Sequence, residues 1–210
     1  SALVQRGMQV DVAEIEPRME AVARQYFGLP DAVKVHAADG RAFVNRSHEQ
    51  WDVLFLDAFA GENPPWYLMT GEGLQAIKAR LAPGGRLLIN SVTRKEGHSA
   101  GLDRLEAWLV QVFGQTLVFV EQPHENSSLN LVNACTVSGE ALKAATGDYP
   151  GEALPWVAQR AEALIGHGRP ARPGTATHDD RSDLDAADAG LRQEWRKVVL
   201  SQMGAQVLGD

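Results

Sequence analysis

Trp51-Asp52-Val53-Leu54-Phe55-Leu56-Asp57 is a nearly continuous apolar run that closes on an acid. A run of this length with so little polar content reads as a strand buried on both faces, the kind a parallel sheet contains. Strand and helix patterns alternate on either side of it. Upstream, residues 10–15 alternate as a strand, and Pro17 sits where a first helical turn tolerates proline, opening a helix over 18–27. Residues 33–37 form a short β-rich run and 40–46 a short helix. Downstream, Thr70 caps a helix reaching Leu81, Pro83-Gly84-Gly85 turns the chain, and 86–91 is a further strand. Leu102, Leu105, Leu109 and Val112 then lie on one helical stripe. Residues 117–121 and 129–137 follow with only a loop between them, which makes them an antiparallel pair. The whole predicts an α/β fold, a mostly parallel sheet with that antiparallel pair at its end and helices on both faces.

The chain has 210 residues, enough for a domain of about 100–200 residues and an appendage. Residues 1–166 are expected to form the domain, with 154–165 as its closing helix. Residues 167–210 read as a polar linker, rich in Gly, Pro, Thr, His and Asp, followed by a docking helix through Leu191, Trp195, Val198 and Val199. Lys and Arg number 20 against 27 Asp and Glu, a net charge of −7. That balance argues against non-specific binding to nucleic acid or to an anionic membrane surface. No apolar run approaches the ~20 residues that cross a bilayer. The single cysteine, Cys135, excludes an internal disulfide, and no Cys and His cluster suggests a structural zinc site. A cytoplasmic setting is the default expectation, and the six dispersed histidines propose no metal.

Ligands of open α/β sheets bind beyond the carboxyl ends of the strands, so acids that close apolar strands are the candidates. Glu14 is placed to receive two ribose hydroxyls, because a carboxylate accepts both hydrogen bonds at once. Glu16, before Pro17, is better read as favouring the amino end of the following helix. Asp39-Gly40 is either a ligand contact or an ordinary turn and helix start. Asp57 would be costly inside the sheet unless paired, so it belongs at the rim, as a catalytic or ligand-orienting group or as a helix cap. Trp66-Tyr67 is an aromatic pair that reads first as loop packing and second as a lid over a base or an amine.

Taken in order, the runs 12–17 (VAEIEP), 38–41 (ADGR), 51–59 (WDVLFLDAF), 68–70 (LMT) and 81–85 (LAPGG) resemble the spermidine synthase family of the Rossmann-like methyltransferase superfamily, over residues 1–138. The resemblance implies that Glu14 binds the ribose of an S-adenosyl ligand and that Asp39 with Gly40 contacts its adenine. It further implies that Asp57 is the catalytic acid–base residue, with Ala58 and Pro64 beside the nucleoside. The implied reaction moves an aminopropyl group from decarboxylated S-adenosylmethionine to a small-molecule amine, without a metal. The alternatives are a methyltransferase using S-adenosylmethionine and a non-catalytic nucleoside-binding or assembly domain.

Three departures accompany the resemblance. Ala60 stands where polyamine synthases carry a second aspartate, and His124-Glu125-Asn126-Ser127-Ser128 occupies the place of a tyrosine-glycine pair. His178-Asp179-Asp180-Arg181 resembles an acidic motif of the less characterised branch, and reads equally as solvated linker. The resemblance implies that the chain starts inside the helix that follows the family's amino-terminal strand and Gly-rich loop, so those elements are not expected within these residues. The expectation is then that the chain is a fragment, or that the strands at 10–15 and 51–56 pair with each other as the sheet closes up, or that a strand of another molecule fills the gap, the last giving a homo-oligomer. The 210 residues alone are expected to bind cofactor weakly.

Overall fold

The computed structural model describes residues 2–58, 65–94, 100–114, 116–120, 128–136, 169–171 and 174. The chain divides into two compact units, Ser1–Glu49 and Gln50–Asp210. Helix α1 is Ala2–Gln5, followed by β1 (Asp11–Glu14), α2 (Met19–Phe27), β2 (Lys34–Ala37) and α3 (Gly40–Arg46). These make up the first unit, whose sheet is the parallel pair β1 and β2, with Asp11 opposite Lys34 and Glu14 opposite Ala37.

Polar ties stand in for a deep core in this unit. Arg24 of α2 reaches Glu20 at 2.8 Å, and donates to the carbonyls of Pro30 (2.9 Å) and Val33 (3.1 Å), which fastens the helix to the approach of β2. Gly28 ends α2 at φ 63°, a left-handed conformation that glycine adopts without a Cβ penalty. His36 of β2 meets Asp11 of β1 at 2.7 Å and stacks obliquely on Phe43 of α3, ring centroids 4.7 Å apart.

The second unit contains β3 (Trp51–Leu56), a 3₁₀ turn (Trp66–Leu68), α4 (Gly71–Lys78), β4 (Leu81–Arg94), α5 (Ala100–Phe113), β5 (Thr116–Val120), β6 (Ser128–Thr136) and β7 (Arg169–Pro170). Its sheet has the order β3-β4-β6-β5-β7. Only β3 and β4 run parallel in it, and the remaining three pairings are antiparallel. The expected antiparallel pair does form from β5 and β6. What the local pattern did not reveal is that β6 inserts between β4 and β5, matching β4 over nine residue pairs from Arg86↔Thr136 to Arg94↔Ser128. Within the stretch read as linker, Arg169 and Pro170 pair with Val118 and Leu117, and Ala171 packs on Leu102 and Val118.

Three local expectations are corrected. The helix after Thr70 ends at Lys78, because the Arg80 carbonyl accepts from Trp51 N–H (2.9 Å) and Leu81 already pairs with Trp51. The turn at 83–85 lies inside β4 as a register shift between Trp51 and Val53. A Cβ on Gly85 would meet the carbonyl oxygens of Ala82 and Trp51 at 2.8 and 3.0 Å, so glycine is required for that close approach. Finally, β3 is an edge strand and is not buried on both faces: Leu56 is buried, whereas Val53 and Phe55 are 52% and 60% exposed. Of the two pairings expected for residues 10–15 and 51–56, that with each other is not made among the described residues, where β1 and β3 lie in separate sheets.

Burial concentrates where α4 and α5 cover the sheet. Leu74, Ile77, Leu87, Ile89, Leu105 and Leu109 are all essentially inaccessible. Thr70 caps α4 by accepting from Gly73 N–H (3.3 Å), and Lys78 donates to the Val112 carbonyl of α5. Gly71 lets the two helices meet, since a Cβ there would fall 2.3–2.5 Å from Trp108 ring carbons. The closing helix at 154–165 and the docking helix beyond Leu191 lie outside the described residues.

Candidate functional site

Each unit presents acids beyond the carboxyl ends of its parallel strands, where such folds bind ligands. In the first unit the register sets Glu14 opposite Ala37, and Ala38 N–H donates to the Glu14 carbonyl at 2.9 Å. Glu14 and Asp39 thus leave the same end of one ladder. Glu14 is partly buried, and its Oε1 accepts from Glu16 N–H at 2.9 Å. Among the described residues its Oε2 takes no hydrogen bond, so the carboxylate retains acceptor capacity for a hydroxyl.

Glu16 lies two residues before Arg18, the N-cap of α2. Its carboxylate accepts from Arg18 Nε (2.7 Å), Nη2 (3.0 Å) and the Arg18 backbone N–H (3.2 Å) at the start of α2. The Arg18 guanidinium, and secondarily that backbone N–H, hold the Glu16 carboxyl below its ordinary value, and Glu16 in turn raises Arg18. Asp39 caps a helix: with extended backbone it accepts from Ala42 N–H at 2.9 Å, and Gly40 is the first residue of α3. The helix-start reading of Asp39-Gly40 therefore describes its local role.

In the second unit Asp57 follows directly on β3 and is exposed, at the rim where an ionised carboxylate remains solvated. Ala58 beside it is partly buried, and Pro64 lies outside the described residues. Asp57 is not alone. Asn90 Nδ2 of β4 donates to Asp57 Oδ1 at 2.9 Å. Sequence reasoning missed Asn90, although the rule that selected Asp57, a polar residue closing an apolar run, applies equally to Leu87-Leu88-Ile89-Asn90. Glu14, Asp39 and Gly40 belong to the first unit, and Asp57, Ala58 and Asn90 to the second.

The aromatic pair separates into two environments. Trp66 is 6% exposed, with an Nε1 that has no hydrogen-bond partner among the described residues, whereas Tyr67 is 45% exposed. Packing accounts for Trp66. His36 likewise pairs with Asp11 and packs on Phe43. Among the described residues no group of three His, Cys, Asp or Glu side chains could hold a metal ion, and no helix is long and apolar enough to cross a membrane.

No protein-family model matches the chain. It is similar to a polyamine aminopropyltransferase of Vibrio vulnificus, 30% identical over 60% of this chain and 42% of the relative. A probable polyamine aminopropyl transferase of Bifidobacterium longum is 28% identical over 51% of this chain and 24% of the relative. An N-terminal histidine N-methyltransferase of Emericella nidulans is 35% identical over 42% of this chain and 17% of the relative. The chain thus spans less than half the length of these curated relatives. Among solved structures, a probable spermidine synthase of Corynebacterium glutamicum superposes with a TM-score of 0.65 at 20% identity, over 87% of this chain and 67% of that one. Human methyltransferase-like protein 13, solved in complex with SAH, gives 0.51 at 28% identity, over 84% and 77%. In sequence the chain is thus similar to polyamine aminopropyltransferases and to an N-methyltransferase, and in fold to a spermidine synthase-like structure and to an S-adenosylmethionine-type methyltransferase.

Proposed function

We propose that this chain carries the core of a transferase that alkylates an amine nitrogen at the expense of an S-adenosyl sulfonium. The observation that carries the reading is Asp57, an exposed carboxylate closing β3 at the strand end where such sheets bind ligands. The named relatives agree on a nitrogen acceptor: polyamine aminopropyl transfer and histidine N-methylation both attach carbon to nitrogen.

The residues present suit such a ligand. Glu14, with one oxygen engaged by Glu16 N–H and the other taking no hydrogen bond among the described residues, is a fit acceptor for ribose hydroxyls. Asp39 and Gly40 at the head of α3, Ala58, and Pro64 are the further nucleoside contacts in this reading. When bound, the sulfonium supplies an activated carbon and a neutral thioether leaving group. The attacking nitrogen, protonated in water, must lose a proton, because only a free lone pair attacks. Asp57 attracts the cationic amine, takes up that proton, and aligns the freed lone pair to form the N–C bond as the C–S bond breaks.

Aminopropyl transfer from decarboxylated S-adenosylmethionine to a small amine is the finer reading. Methyl transfer from S-adenosylmethionine is the second, favoured by Ala60, which stands where polyamine synthases carry a second aspartate, and by the 28% identity to human methyltransferase-like protein 13. Mass spectrometry of reactions holding either donor, with a diamine or a peptide bearing a free amino terminus, separates them by the group gained. Asp57→Asn keeps the shape and removes the proton acceptor, so turnover should fall by about 10²–10⁴ with nucleoside binding kept. Full activity in Asp57→Asn would remove Asp57 from the reaction.

A further inference from the structure

We propose that Asn90 is the positioning residue of Asp57, holding the carboxylate in one orientation while leaving its negative charge intact for a cationic amine. The inference rests on the proposed role of Asp57. The backbone sets the two side by side: Leu56 pairs with Ile89 in the parallel ladder, so the next residue of each strand is Asp57 and Asn90. From there the two chains differ. β3 has ended and Asp57 is exposed, whereas β4 continues to Arg94 with Asn90 paired to Val132 of β6. Asn90 is flanked by Ile89 and Ser91, 0% and 3% exposed. A residue clamped on a central strand therefore donates, at 2.9 Å, to one at the end of an edge strand.

The chemistry of the donor matters more than its presence. An exposed carboxylate can satisfy itself with water and turn among its rotamers, so this hydrogen bond chiefly selects an orientation. Since an ionised carboxylate only accepts, the amide must present its N–H₂ to Asp57, and its own carbonyl oxygen stays an acceptor. With Oδ1 engaged, Oδ2 is the oxygen directed to the amine proton. Lys or Arg at position 90 would hold Asp57 as well, yet would neutralise it and repel an ammonium group. Asn orients without neutralising.

Three variants test this. In Asn90→Ala, kcat should fall about 10–10²-fold through lost alignment, with the affinity for the nucleoside donor unchanged. Asn90→Asp, equal in shape but without a donor, should fall at least as far, and Asn90→Gln should recover part of the loss. In the Asp57→Asn background, Asn90→Ala should cost little more, because the two residues act as one unit. The Asn90 side-chain amide signals in NMR should move in Asp57→Ala, which reads the contact without any turnover. Wild-type kcat in Asn90→Ala, an equal fractional loss in both backgrounds, or a loss confined to donor affinity would each overturn the proposal. Full activity in Asp57→Asn would instead bring down the role of Asp57 itself, and this inference with it.

Discussion

The units Ser1–Glu49 and Gln50–Asp210 solve the problem of holding parallel strands differently. In the first, Val33 and Val44 are the buried apolar side chains among the described residues, while Ile15, Tyr26 and Phe27 are 68%, 70% and 80% exposed. Its order comes from polar ties, Arg24 to Glu20 and the approach of β2, and His36 to Asp11. In the second, α4 and α5 bury a continuous set of Leu, Ile, Met and Trp side chains against the sheet. Burial of apolar area is the dominant stabilising contribution, and exposed ion pairs add little. The contrast teaches that Asp57 belongs to a unit with a packed core, though it follows that unit's edge strand, whereas Glu14 and Asp39 belong to a unit with a small one.

The largest expected effect probes the packed core. Leu109→Ala removes a fully buried side chain and should destabilise the second unit by about 2–5 kcal/mol in denaturant unfolding. Native-state hydrogen exchange should then show faster opening of β4 and β6, with β1 and β2 little changed. Equal protection of the β1–β2 and β4–β6 amides in the wild-type protein would break the contrast between the units.

A smaller effect sharpens the comparison at the ligand. Glu14→Ala deletes a charged acceptor and should cost about 1.5–3 kcal/mol in nucleoside affinity by calorimetry, leaving denaturant stability of the second unit unchanged. Unaltered affinity would remove Glu14 from the ligand's contacts.

The smallest effect concerns Glu16. Its carboxyl titrates below the ordinary value in the folded chain, so the stabilisation from Arg18 is present above the unfolded carboxyl's range. It is lost as pH falls through the lowered folded value. Both side chains are solvent-facing, so salt should weaken the effect further. Carboxyl-detected NMR should show the Glu16 midpoint rising in Arg18→Ala, and an unmoved midpoint would dismiss the pair as its cause.

Much of the candidate site was legible because its acids obey a local rule. Glu14 and Asp57 close strands whose periodicity identifies them, and a strand's last residue is readable from the strand alone. Asp39 was legible as one of two things, and its hydrogen bond to Ala42 N–H gives its local role as a helix cap. Asn90 follows an apolar run but lies inside β4, and its significance is a partner 33 positions away in sequence. No pattern within either strand states that pairing.

The order of strands and helices, the Thr70 cap and the stripe of α5 were written in residue spacing, since periodicity and capping depend on neighbours within a few positions. Which strands lie side by side was not. The insertion of β6 between β4 and β5, the edge position of β3, the addition of Arg169-Pro170 to β5 and the fit of Trp108 over Gly71 each depend on segments far apart in the chain. Several pairings of the same strands satisfy the same local pattern, and long-range burial and hydrogen bonding select among them. That selection set the Asn90 amide beside the Asp57 carboxylate.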